Sequence, residues 1–148
     1  MDATKANEPS SGQPAGHLLV RVGEQICALP VGAVRRVVRA LTVHPLPGAR
    51  AELAGLAEFA GEPLPVLDLG RLIGAPIGPH PLFPVTVVVW SRTEEGREAI
   101  GLAADEALEV VDLSASSWLP ASGFLAGEAL LGEQVVRVLD PDRLGAGS

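Results

Sequence analysis

Apolar and polar positions change places along this chain in short runs, and those runs predict strands rather than long helices. From His17, Leu18, Val20 and Val22 alternate with Leu19 and Arg21, and Gly23-Glu24 supplies a turn. Gln25 to Leu29 gives a second strand, so a hairpin is predicted, ended by Pro30. Val31, Val34 and Val37-Val38 suit a single helical turn running into a strand near 37–42. Pro45, Pro47 and Gly48 mark a loop, with a short helical piece at 50–54. Gly55 to Phe59 and Pro63 to Leu67 read as strands joined at Gly61-Glu62, and Asp68 to Ile73 as one or two helical turns closed by Gly74 and Pro76. After a connection rich in proline, the β-branched run Val85 to Trp90 is the strongest strand signal and predicts a buried strand.

The pattern then repeats. Gly23-x-x-x-Cys27-Ala28-Leu29 has its counterpart in Gly96-x-x-x-Ile100-Gly101-Leu102, and Val37-Val38 in Val110-Val111, both 73 residues later. Val66-Leu67-Asp68-x-x-Arg71-Leu72 recurs 72 residues on as Val138-Leu139-Asp140-x-x-Arg143-Leu144, and Gly55 recurs as Gly127. Two similar β units follow, with a boundary near 76–90. A unit of some 65 residues is near the lower limit for a core of its own, so the halves are expected to pack on each other. Closure of about five short strands apiece into small barrels removes exposed edges, and the fold class is all-β with short helices. Residues 1–16, made largely of Ser, Gly, Pro, Asn and Ala, read as a disordered tail before a domain over 17–148.

Composition narrows function. Seventeen Gly and 13 Pro among 148 residues exclude a helical bundle. A net charge of −7 repels phosphate and 3% aromatic residues leave little to stack bases on, so nucleic acid is not an expected partner. Cys27 is alone, which excludes a disulfide framework and a thiolate metal cluster and points to a reducing compartment. The opening residues hold no apolar signal core, Asp2 stands where N-myristoylation needs glycine, and the longest apolar stretch, 85–90, is too short to span a bilayer. A cytoplasmic protein without membrane insertion is expected. The charge is uneven: residues 1–50 hold six basic and three acidic side chains, residues 51–148 five and fifteen.

No catalytic constellation emerges. Asp68 and Asp140 are repeat-related carboxylates, but an aspartic dyad needs a hydroxyl residue after each, and Leu69 and Pro141 follow. Helix N-caps are the expected role for both. His17, His44 and His80 lack close ligand spacing, so no metal is expected. Cys27, between Ile26 and Ala28, reads as a buried inert thiol. No G-x-S-x-G elbow and no glycine-rich phosphate loop occurs, and no cofactor is expected. Arg21, Arg35, Arg36 and Arg39 form the basic cluster, with Arg35 and Arg39 spaced to share a helical face. Solvated surface or a patch for an acidic partner are both open to it. By elimination the work of the chain is binding.

Taken in order, these landmarks resemble the CheW family, the coupling proteins of bacterial chemosensory arrays. Gly23 to Val31 is similar to that family's G-x-x-x-A-[IL]-P-[IV] opening, and Gly55 to Leu69 to its G-V-I-N-L-R-G-x-x-x-P-V-x-D-L signature. Gly101 to Ala107 fits G-L-x-V-D-x-V, and Gly127 to Leu144 the closing G-x…L-D-x-x-x-L, so the match runs from about 17 to 144. The resemblance implies two five-stranded, SH3-like β-barrels and a non-catalytic adaptor. Its implied partners are the cytoplasmic tip of a chemoreceptor (a methyl-accepting protein), the regulatory domain of a CheA-type histidine kinase, and other CheW-like domains, arranged head to tail. The pathway would be one of chemotaxis or gliding motility. A stand-alone β-barrel sensor with a small-molecule pocket between the halves is the alternative.

The departures from the family pattern carry information too. The family's Glu falls at Arg36, its Asn at Glu58 and its Arg at Ala60, positions on or near the receptor-facing surface in the family. Val34, Arg36, Val37, Leu56, Glu58, Phe59 and Ala60 are therefore the candidate partner-binding residues, with altered receptor specificity, or loss of one of the usual two partners, expected. The uneven charge is expected to steer a head-to-tail contact between unlike surfaces.

Overall fold

The structure is a computed structural model that describes residues 16–75, 84–114 and 116–144. The tail expected at 1–16 lies outside the described residues up to residue 15, as does most of the proline-rich connection. The first repeat forms β1 (His17–Val22), β2 (Gln25–Pro30), a 3-10 turn (Val31–Ala33), β3 (Val34–Arg39), β4 (Leu53–Phe59), β5 (Glu62–Asp68) and a five-residue helix, α1 (Leu69–Ile73). The second forms β6 (Val85–Thr93), β7 (Gly96–Ala104), β8 (Glu106–Val111), β9 (Trp118–Pro120), β10 (Leu125–Leu131), β11 (Gln134–Leu139) and a 3-10 turn, Pro141–Arg143.

The repeats exchange hairpins. One sheet runs β8-β1-β2-β11-β10-β9 and the other β3-β6-β7-β5-β4. The opening hairpin of each repeat thus joins the later strands of the other. The joins are the two parallel pairings, Cys27 opposite Arg137 and Leu67 opposite Leu102. We call the six-stranded unit the first barrel and the five-stranded unit the second; the sixth strand, β9, has only three residues.

Burial follows from this exchange. Leu19 and Ala28 face the interior of the first barrel with Ala129, Val136 and Val138, and Val88 and Ala103 face that of the second with Ala57, Leu64 and Val66. The other faces of the same four strands meet in a shared core: Val20, Cys27 and Leu29 from the first barrel, Val87, Val89 and Leu102 from the second, with Leu69, Leu139 and Leu144. Strands buried on both faces carry near-continuous apolar runs, which accounts for Val85–Val89, where Thr86 alone is polar.

Three local expectations are corrected. The strand read from 37 begins at Val34, and Arg35 and Arg39 lie on β3 rather than a helical face. The register slips between Val34 and Arg36 where β3 pairs with β6, and that bulge breaks the alternation that marks a strand. The helical piece at 50–54 is instead turn followed by strand from Leu53, because pairing with β5 overrides the helix propensity of Ala51-Glu52-Leu53.

The repeated glycines have a steric cause. At Gly55 a Cβ would stand 2.1 Å from the His44 carbonyl oxygen, and at Gly127 it would stand 2.6 Å from that of Leu119. Each glycine lets a crossing segment close onto the barrel, His44 onto Leu56 in one case and β9 onto β10 in the other. Gly55→Ala is expected to cost about 1–3 kcal/mol, as overpacking does, measured by urea denaturation; unchanged stability would contradict this account of the repeat.

Candidate docking surfaces

Strands β3 and β4 are the outer strands of the second sheet, and an open groove of about 560 Å³ lies between them. Arg36, Val37, Val38 and Arg39 line one side, and Glu58, Phe59 and Ala60 the other. Five of the seven candidate partner-binding residues are thereby brought together. The other two are not: Val34 packs against the shared core, and Leu56 lines a separate shallow hollow with His44, Leu46 and Pro63. Ala60 and Gly61 form the tight turn between β4 and β5, with φ of 54° and 82°. Both lie in the left-handed region that a twisted hairpin favours.

Beside this groove stands Trp90 on β6, half-buried. The Arg35 guanidinium lies 4.7 Å from its ring centroid and 5.1 Å from that of Phe59, while Arg97 on β7 lies 4.0 Å from Trp90. Arg35 is the bulge residue of β3, which turns it towards the indole. Among the described residues, Arg21, Arg50, Arg71, Arg92, Arg137 and Arg143 form ion pairs with carboxylates. Arg35, Arg36 and Arg39 of β3 and Arg97 of β7 form none within 4.0 Å among the described residues. Sequence reasoning missed Trp90 and Arg97; in a chain with only two Trp, a tryptophan ending a valine run was the available signal.

The first barrel presents the opposite sign. Its outer strand β8 is related to β3 by the 73-residue repeat, which sets Glu109 against Arg36, Val110 against Val37 and Asp112 against Arg39. Both valines are exposed, 40% for Val37 and 59% for Val110. The hairpin exchange also redistributes the charge read from the sequence. The first barrel (16–30 and 105–144) holds three arginines and nine carboxylates, the second (31–104) seven of each. The expected basic half and acidic half are thus a neutral barrel with a basic edge and an acidic barrel.

Near the acidic edge, His17 meets Trp118 edge-on at 5.9 Å, and the Trp118 indole N–H donates to the Leu113 carbonyl. Burial lowers the His17 pKa, and the Asp112 carboxylate partly opposes this. Hydrogen bonds from Ser114 hold the Asp112 carboxyl below its usual range. Asp105 joins the barrels' opening elements: its carboxylate accepts the Gly23 N–H at 2.7 Å and lies 3.7 Å from Arg21.

The repeat-related aspartates start the two short helical turns. An Asp68 oxygen accepts the Arg71 N–H at 3.3 Å, and an Asp140 oxygen accepts the Asp142 N–H at 3.1 Å. Each pairs with the arginine three residues on, at 3.8 Å for Arg71 and 3.1 Å for Arg143. Those bonds use the carboxylates as structural caps. Cys27 is buried in the shared core, which pushes its thiol up to about 12. No group of three or more His, Cys, Asp or Glu among the described residues is arranged to hold a metal ion, and no helix among them is long and apolar enough to cross a membrane.

Two interlocked β-barrels that carry open edges of opposite charge define a protein-docking module. The CheW-like domain family matches residues 16–147, and the chain belongs to that family. It is 34% identical to the protein FrzA of Myxococcus xanthus over 76% of this chain and 69% of that protein. Its fold is similar to that of the scaffolding protein TtCheW from Thermoanaerobacter tengcongensis, with a TM-score of 0.72 at 19% identity over 86% of this chain and 90% of that one.

Proposed function

We propose that the chain is a non-catalytic coupling adaptor that links the cytoplasmic tip of a chemoreceptor to the regulatory domain of a CheA-type histidine kinase, in the cytoplasm of a bacterium whose motility the pathway controls. Family membership supports the adaptor role. The single observation that carries the assembly mode is the pair of repeat-related edges with opposite charge, β3 with Arg36 and Arg39 and β8 with Glu109 and, just past its end, Asp112. A heterologous contact joins unlike surfaces, so the basic edge of one CheW-like domain suits the acidic edge of the next, whether that neighbour is the kinase domain or a second copy.

Receptor preference differs from the family pattern in this proposal. Arg36, Glu58 and Ala60, three of the residues that line the β3–β4 groove, stand where the family has Glu, Asn and Arg, so each presents a different charge. A charge reversal at an interface weakens the old partner and favours a new one. Titration of the chain with receptor cytoplasmic fragments tests this. The cognate fragment should bind more tightly than one from a receptor whose coupler follows the family pattern, and Arg36→Glu with Ala60→Arg should reverse the order. Equal binding of both fragments by both forms would sink the altered preference.

A further inference from the structure

Trp90 stands between two open surfaces. On one side is the β3–β4 groove, reached by Arg35, whose guanidinium bridges Trp90 and Phe59. On the other is a cleft of about 610 Å³ between the barrels, into which Arg97 and Trp90 both project. The floor of that cleft is small: Gly32, Ala33 and Gly96 line it, and a Cβ built on Gly96 would meet nothing within 4 Å. A peptide backbone can therefore approach closely.

The electrostatics select the occupant. Arg35 and Arg97 both lie within 5 Å of one indole centroid, and neither has a carboxylate within ion-pair distance among the described residues. Two like charges held together on one ring repel, and the indole stabilises each only modestly. The carboxylates at the far rim are already engaged: Asp140 with Arg143 at 3.1 Å, and Asp142 with the Arg92 N–H at 2.8 Å. Incoming carboxylates would relieve the repulsion and form charge-assisted hydrogen bonds with guanidinium groups. A Trp at the centre of such a patch is the side-chain type that anchors protein contacts.

We propose that Trp90, Arg35 and Arg97 form an acceptor for an acidic peptide segment of the receptor partner, lying across Trp90 and giving one carboxylate to each arginine. Acidic side chains one helical turn apart, roughly 5–6 Å between Cβ atoms, supply such a pair. This rests on the coupling role proposed above and adds the chemistry that the partner must carry.

The test is a binding titration of the full chain against two probes, the cognate receptor's cytoplasmic fragment and the cognate kinase regulatory domain. Arg97 is exposed on β7 and is none of the charged edge residues Arg36, Arg39, Glu109 and Asp112, so Arg97→Glu should fold normally. The expected result is a loss of receptor affinity of about tenfold or more, as like-charge juxtaposition costs several kcal/mol, with kinase binding unchanged. Arg97→Gln should lose less, and a glutamate-to-lysine change in the receptor segment should restore binding to Arg97→Glu. Receptor binding that is equal in wild type and Arg97→Glu would overturn the acceptor and leave the coupling role standing. Absence of receptor binding by the wild type would remove the coupling role itself. An Arg97-dependent rise in melting temperature with inorganic phosphate or ATP, without an effect on receptor binding, would also overturn it, in favour of a small-anion site.

Discussion

Leu102→Ala is expected to destabilise the protein by about 2–5 kcal/mol, the range for emptying a buried leucine site, and to unfold both barrels in one transition. Leu102 is fully buried on β7 of the second barrel, yet its neighbours in the shared core include Val20, Cys27 and Leu29 of the first. Removing its isopropyl group opens a cavity that neither barrel can close alone, because the two parallel joins tie each opening hairpin to the other repeat. Native reporters exist on both sides. Trp90 lies on the second barrel and Trp118 on the first, so single-tryptophan variants follow each separately. Cys27, with its thiol raised to about 12, should react with a thiol reagent only when the shared core opens. Coincident urea midpoints for both fluorophores, and faster Cys27 labelling in Leu102→Ala, are the predicted outcome. A transition of Trp90 that leaves Trp118 and Cys27 native would show that the barrels are independent.

The second large effect concerns assembly. Arg36→Glu with Arg39→Glu makes both edges acidic, and Glu109→Arg with Asp112→Arg makes both basic. Each double variant alone should lose head-to-tail self-association by about a hundredfold at low salt, since like charges then face each other at several kcal/mol. An equimolar mixture of the two should associate again, because every β3 edge then finds an oppositely charged β8 edge. All four positions are exposed, and stability should barely change. Light scattering at low and at high salt reads the result, and the wild-type association should weaken as salt rises. Association that ignores both the reversals and the salt would remove the charged edges from the interface.

Much of the fold is written in short-range signals. The hairpin of β1 and β2 and the helical turn after Asp68 come from turn residues and local alternation, and the strand from Val85 from its β-branched run. The glycines 72 residues apart exposed the repeat because each sits where only hydrogen fits, against His44 or Leu119. The exchange of hairpins left no such trace. Cys27 pairs with Arg137 and Leu67 with Leu102 through parallel contacts remote in sequence, and no periodicity distinguishes a strand paired within its repeat from one paired across it. Charge counted along the chain therefore misassigned which surface is acidic: β1 and β2 belong with the acidic later strands, and β6 and β7 with the arginine-bearing β3.

The docking surface was legible only in part. Arg36, Val37, Glu58, Phe59 and Ala60 came from motif positions and share one groove, whereas Val34, picked from the same motifs, packs on the shared core across the bulge before Arg36, and Leu56 lines a neighbouring hollow with His44 that Glu58 also borders. Trp90 and Arg97 belong to no motif. Their pairing with Arg35 depends on the bulge at Arg35 and on the register that sets Trp90 opposite Ala99, which are tertiary facts.

The adaptor role is tested most directly by sedimentation of the full chain with the cognate receptor's cytoplasmic fragment and the cognate kinase regulatory domain together. The predicted result is one boundary, faster than either pairwise mixture, that contains all three proteins. A chain that sediments free of both partners would contradict it.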